Sequence, residues 1–232
     1  MSHPSPQDQA DVPDAPAPAP DGDTDTDTDT DNDGDGAGDR GGLRERLVRT
    51  GVALVDAEGA QALTLRAIAR RAGVSHGAPR RWFPTRLDLL SAIAREGFAE
   101  LAARVAEADR EADGAGAGPR DRIEAFARVY LGYAADRRGM YELMFRPELP
   151  ESGRPGPRGT SLPLFARLAA LVAELRPGTD AVRAAGAFWA NLHGLAQLRH
   201  GGCLALATGS DDPAPLVRAA LDAHLGPARP AP

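Results

Sequence analysis

From Gly42 onward the apolar residues of this chain recur every three to four positions, and no stretch alternates as a half-buried strand would. The pattern predicts an all-α fold. Its first helix spans residues 43–59, with Leu43, Leu47 and Leu54, flanked by Val48, Val52 and Val55, forming one apolar stripe. Gly59 is placed to end it. Further helices are expected near 86–111, 120–137, 139–146, 162–175, 180–200 and 214–225. The segments "DGAGAGP", "PELPESGRPGPRG", "PGT" and "GGCLALATGSDD" between them read as turns.

The segment "TLRAIARRAGVSHGAPRRWFPTRLDLL" (residues 64–90) carries the most local information. Thr64 can cap a short helix whose Leu65, Ile68, Ala69 and Ala72 lie three and four residues apart on one face. Gly73 breaks that helix, and Val74 supplies a hydrophobe for the turn. Ser75 is a second candidate cap, opening a helix over 76–83. Pro79 sits near its start, where proline forfeits at most the first intrahelical bond. Pro84 stops the second helix, and Thr85 with Asp88 forms a capping box for the next.

Two short helices around a glycine-containing turn describe a helix-turn-helix. In that arrangement the second helix enters the major groove of a duplex with its leading residues at the base edges. Pro79 and Phe83 would face inward, and Ser75, His76, Gly77, Arg80 and Arg81 outward. Arginine in that position pairs with phosphate or contacts guanine through two hydrogen bonds.

The charge distribution supports this placement. The formal net charge is −6, yet residues 1–39 hold twelve aspartates and no arginine. Residues 40–98 hold eleven arginines against five carboxylates, and residues 99–232 are neutral. An acidic whole thus contains a basic segment, and such asymmetry points to nucleic acid. Residues 1–39, rich first in proline and alanine and then in aspartate, lack the apolar surface to offset the entropy of ordering, and are expected to be disordered. Asp29, Asp31, Asp33 and Gly34 match the start of a calcium loop. The twelfth position, which should supply a bidentate carboxylate, is Arg40, so no specific calcium site is expected. The tail reads either as a tethered polyanion competing with DNA for the arginine face or as a solubilising extension.

The single cysteine, Cys203, excludes an internal disulfide framework. The N-terminus has no basic and apolar leader pattern, and the longest apolar stretch, residues 162–175, is interrupted by Arg167 and too short to span a bilayer. A cytoplasmic protein without membrane association is expected.

Residues 63–90 closely resemble the DNA-binding half of tetracycline-repressor-like (TetR family) transcriptional regulators. The resemblance extends over about residues 43–98 and includes the first-helix stripe, "IARRAGVS", and the Phe-Pro pair before a long helix. It implies an all-α homodimeric regulator: a disordered tail (1–39), a helix-turn-helix domain (40–86) and a helical effector-binding and dimerisation domain (87–228). It implies a ligand-responsive repressor released from a double-stranded DNA operator by a small molecule. Thr64, Ser75, His76, Gly77, Arg80, Arg81, Trp82, Thr85 and Arg86 fall where the family touches DNA. Arg80 and Trp82 depart from the family's usual tyrosine and histidine, so the operator sequence does not carry over. The stretch "GAFWANLHGLAQL" (186–198) resembles the Trp-…-His-Gly signature of one subgroup, with Trp189, His193 and Gly194. The resemblance also places the dimer interface on the helices near 180–200 and 214–225.

Large soft side chains concentrate in the middle helices. Tyr130, Tyr133, Met140, Met144, Phe165, Trp189 and His193 are candidates for a ligand pocket, although the same residues suit an ordinary core. His193 has no second histidine, cysteine or carboxylate at ligand spacing on its helix, so no metal is expected. No cofactor is implied, and no nucleophile, base and orienter form a constellation, so catalysis is not expected. The competing reading is a non-catalytic interaction protein acting through its acidic tail, with a vestigial helix-turn-helix.

Overall fold

The computed structural model describes residues 37–149 and 157–227, with side chains from Gly42 onward. The calcium-like loop at 29–34 and the tail through residue 36 lie outside the described residues, whereas residues 37–39, expected to be disordered, form the start of the first helix. Among those described, the chain forms ten α-helices: α1 Ala37–Glu58, α2 Leu65–Ala72, α3 Ala78–Trp82, α4 Arg86–Gly114, α5 Pro119–Asp136, α6 Arg138–Met144, α7 Arg158–Leu175, α8 Ala181–His200, α9 Cys203–Thr208 and α10 Ala214–Leu225. No strand occurs among the described residues.

The predicted stripe of α1 is buried at Leu47, Val48, Leu54 and Val55. α1 begins at Ala37, before the first apolar position that marks its start in the sequence. Two helical elements escape the hydrophobic pattern. A 3-10 turn at Ala60–Ala62 follows α1, and α9 lies inside a segment whose composition reads as a turn. α9 is bounded by Gly202 and Gly209, both left-handed, and buries only Leu204. With six residues it is too short for a period to show.

α4 is the long connector. Near its start, Ile93 fills the space beside Gly51 of α1. One turn later, Gly97 lies against Met140 and Met144 of α6. Its length then packs on α5 and α7. The side chains of Asp109 on α4, Arg122 on α5 and Arg167 on α7 form a half-buried cluster, Arg122 Nε and Arg167 Nε each donating to Asp109 at 2.7 Å. Buried side chains from α1, α2, α4 to α8 and α10 form one continuous core.

α1 also meets α6. Gly139 sits so close to α1 that a Cβ there would fall 2.7 Å from the Val55 carbonyl oxygen and 3.2 Å from the Gly59 Cα. Both obstacles are backbone, which cannot swing aside. Gly139→Ala is therefore expected to destabilise the protein by about 1–3 kcal/mol. Gly132→Ala, on α5 with nothing within 4 Å of the new methyl, is expected to leave stability unchanged or raise it by up to about 1 kcal/mol. Denaturant titration of the two variants measures the difference.

Candidate nucleic-acid interface and internal cavity

α2 forms as its sequence dictates. Thr64 Oγ1 accepts from the Ala67 backbone N–H at 3.0 Å, satisfying one otherwise unpaired donor of the first turn. Gly73 ends the helix at φ 67° and ψ 34°, a left-handed conformation that costs glycine little. The Gly73 and Val74 N–H groups then return to the carbonyls of Arg70 and Ala69, at 3.3 and 3.1 Å, the paired closure of a Schellman motif. This turn fixes the angle at which the chain enters α3.

α3 differs from expectation. It spans Ala78–Trp82, with Gly77 at its cap position and no capping side chain. Ser75 does not cap a helix over 76–83. Instead its carbonyl accepts from the Ala78 N–H at 3.1 Å. The cause is Pro79: a helix opened by Ser75 would use the N–H of residue 79 for its first bond, and proline has none. The approach to α3 is thus a turn through His76 and Gly77. Pro79 and Phe83 are buried, as the pattern requires, and the Arg44 guanidinium lies 5.5 Å from the centre of the Phe83 ring. Thr85 and Asp88 close the capping box, with Thr85 N–H to Asp88 Oδ2 at 2.9 Å and Asp88 N–H to Thr85 Oγ1 at 3.2 Å.

The nine residues that the family resemblance assigns to DNA fall into two sets. Ser75, His76, Gly77, Arg80 and Arg81 are exposed on the turn and on α3. Thr64 and Thr85 are exposed but engaged as caps, Trp82 is half-buried against the core, and Arg86 Nε donates to the Leu63 carbonyl at 2.8 Å. That last bond ties the start of α4 to the linker before α2. Arg80 and Arg81 make no ion pair among the described residues, and neither do Arg66 and Arg70 on α2. Arg71, by contrast, pairs with Glu58 at 2.9 Å. Arg66 and Arg70 belong to the basic segment but not to the nine. Their position opposite the buried Ile68 and Ala69 follows from the helical period, a signal that could have marked them.

In the helices beyond, a cavity of about 650 Å³ opens among α4, α5, α7 and α8 and the segment that follows α6. Its walls include Phe98, Phe126, Tyr130, Met144, Phe145, Phe165 and Trp189, with Arg146, Arg158 and Ser161 as polar groups. Of the candidate pocket residues, Tyr130, Met144, Phe165 and Trp189 come together along this cavity. Tyr133, Met140 and His193 do not line it. Tyr133 packs instead under the Arg104 guanidinium, 5.3 Å from the ring centre, and Met140 is buried against Gly97. They point elsewhere because their registers on α5 and α6 turn them toward α4. Phe98 and Phe126 complete the aromatic wall, and only their tertiary placement reveals it.

His193 lies behind this wall. Its Nδ1 is 2.7 Å from the Tyr141 hydroxyl and 3.3 Å from that of Tyr130, and the two hydroxyls are 2.9 Å apart. Its ring packs against Tyr141, Phe145 and Trp189. Burial pushes the Tyr141 hydroxyl up to about 12 and raises Tyr130 further still. Both stay protonated, so the arrangement is a hydrogen-bonded knot and not a poised base. No group of three or more metal-ligating side chains comes together among the described residues, and no described helix is long and apolar enough to cross a membrane.

Residues 47–93 match the family described as bacterial regulatory proteins, tetR family, and residues 123–224 match the tetracyclin repressor-like C-terminal domain. Among solved structures, a protein of unknown function from Rhodococcus sp. RHA1 is similar at 30% identity, over 79% of this chain and 93% of that one, with a TM-score of 0.64. The multidrug binding protein EbrR, complexed with imidazole, is similar at 26% identity, over 82% of this chain and 96% of that one, with a TM-score of 0.55. A TetR family member from Streptomyces coelicolor A3 shares the fold at 24% identity and a TM-score of 0.52, over 79% of this chain and 98% of that one. No curated protein matches the chain.

The environment of His193 has a consequence in solution. Burial holds its imidazole below the usual value of 6.5. The unfolded chain therefore takes up a proton near that pH while the folded chain stays neutral, and stability falls as the pH drops below about 6.5. Chemical denaturation at pH 7 and pH 5.5 is expected to show a larger loss for the wild type than for His193→Gln, which has no titrating ring. Equal losses would contradict the burial of a neutral imidazole.

Proposed function

Because the chain belongs to the TetR family of DNA-binding transcriptional regulators, we propose that it is a homodimeric repressor that a small molecule releases from its operator. In this reading residues 40–86 form the DNA-reading head and residues 87–228 the effector-binding and dimerisation body. The reading rests foremost on one observation. Arg80 and Arg81 stand exposed on α3, without ion pairs among the described residues, held outward by the buried Pro79 and Phe83. α3 is the element that enters the major groove, with Ser75, His76 and Gly77 at its leading end. Arg66 and Arg70 approach the phosphates beside it, and Thr64, Trp82, Thr85 and Arg86 border the duplex. Guanidinium groups suit this role because their rigid donor fork matches phosphate and guanine.

The cavity supports the effector half of the proposal. Its volume and aromatic walls suit a small organic molecule, and the likeness to a multidrug binding protein points the same way. Ligand acts by favouring a conformer whose two heads no longer fit half-sites about 34–36 Å apart. For the dimer, α8 and α10 pack side by side, joined by Asn191 and His224 at 2.8 Å. α8 leaves Val182 and Leu198 63% and 47% exposed. They lie on different sides of the helix, and a second copy packed along α8 and α10 would cover apolar surface there.

Two measurements test the proposal. In electrophoretic shifts with DNA from upstream of the protein's own gene, Arg80→Ala with Arg81→Ala is expected to weaken binding at least about tenfold. Each phosphate that the variant no longer neutralises should also flatten the log–log salt dependence by about 0.9. Wild-type protein that fails to bind at low salt without ligand would overturn the repressor reading. In sedimentation, Val182→Glu with Leu198→Glu is expected to shift the protein to monomer and abolish operator binding.

A further inference from the structure

The six aromatic walls of the cavity, Phe98, Phe126, Tyr130, Phe145, Phe165 and Trp189, set what can enter it. Trp189 meets Phe165 edge to face at 6.5 Å and tilts against Phe145 at 6.2 Å, and Phe145 in turn meets Phe98 edge to face at 5.5 Å. Rings presented at such mixed angles offer both faces and edges, the geometry in which another flat ring gains most. Aromatic faces alone would accept a neutral ring and would also attract a cation. The charged residues of the lining decide between them.

No carboxylate lines the cavity among the described residues, whereas Arg146 and Arg158 do. Arg146 is the informative one. Its side chain is only 15% exposed, and its one ion pair among the described residues joins Nη1 to Glu148 at 3.5 Å. That distance is long for a charge-assisted bond, which closes to about 2.7–2.9 Å. Glu148 is itself 49% exposed and does not line the cavity. A largely buried guanidinium held by one slack partner has donors to offer, and an anion inside the cavity would meet them at closer range than Glu148 does. A cation there would face an uncompensated positive charge in surroundings where burying charge without a partner is unfavourable.

We infer that the cavity selects flat aromatic acids: ligands of two or three fused rings whose carboxylate pairs with Arg146 while the rings lie among Phe145, Phe165 and Trp189. The inference rests on the proposal that this cavity is the effector site, and it adds the charge and shape of the effector. Arg146 determines the charge preference, and the aromatic walls determine affinity for the ring.

The test uses one ring system bearing three charges. Calorimetric titration of the full chain with 2-naphthoate, 2-naphthamide and protonated 2-naphthylmethylamine is expected to rank them in that order, with the acid about tenfold tighter than the amide. Arg146→Gln should bring acid and amide to equal affinity, and Arg146→Lys should restore part of the preference. Trp189→Ala should weaken all three together, separating loss of the ring site from loss of charge selection. Amine binding as tight as acid binding overturns the inference. So does an acid preference that survives Arg146→Gln in a folded protein, or failure of all three to bind. Operator release is read separately by electrophoretic shift. Acid that binds through Arg146 yet leaves operator binding intact would count against the effector role of the cavity while leaving its chemistry standing.

Discussion

The joint where α1 lies against α4 and α6 is the constraint on which the other features depend. Gly139 lets the start of α6 come within backbone reach of Val55 at the end of α1. Beside it, Arg137, between α5 and α6, reaches Asp56 of α1 at 3.1 Å and Glu100 of α4 at 3.2 Å. The first approach admits no side chain, and the second pairs half-buried charges. Together they leave α1 little freedom to move independently of α6. Because α1 also carries the arginine that stacks on Phe83, the position of α3 is referred through α1 to the helices around the cavity.

On the other side of the joint, α6 carries both Met140, against Gly97 of α4, and Tyr141, hydrogen-bonded to His193 of α8. Tyr130, which shares that hydrogen bond, also walls the cavity. The same short helix thus touches α1, the connector α4 and the back of the cavity wall. A ligand that displaced Tyr130 or Phe145 would press on α6 directly. In a densely packed interior such displacement is passed on to neighbours instead of being absorbed. This gives the proposed coupling a physical route of a few side chains, through elements packed directly on one another.

Much of the local structure was legible from residue chemistry. The caps at Thr64 and Thr85, the glycine turn at 73 and the inward faces of Pro79 and Phe83 follow from single-residue rules, and the structure contains each of them. The rules failed where two of them competed at one place. Ser75 is a good cap in isolation, but Pro79 four residues later removes the very N–H that its carbonyl would accept. The short α9 carries too few residues to show a period. Tyr133 and Met140 resemble cavity residues by type, whereas their direction depends on helix rotation, which type does not encode.

What the sequence determined by itself was therefore the kind of element over the longer segments, and the location of an exposed basic helix, because periodicity, capping and net charge act over a few residues. Tertiary structure alone decided which aromatic residues converge on a cavity and which arginines among many line it. It also decided that α6 would lie within backbone reach of α1. Those outcomes depend on how helices far apart in the chain rotate and cross. Such crossings are fixed by the mutual fit of side chains from several segments at once, so no single stretch contains the information.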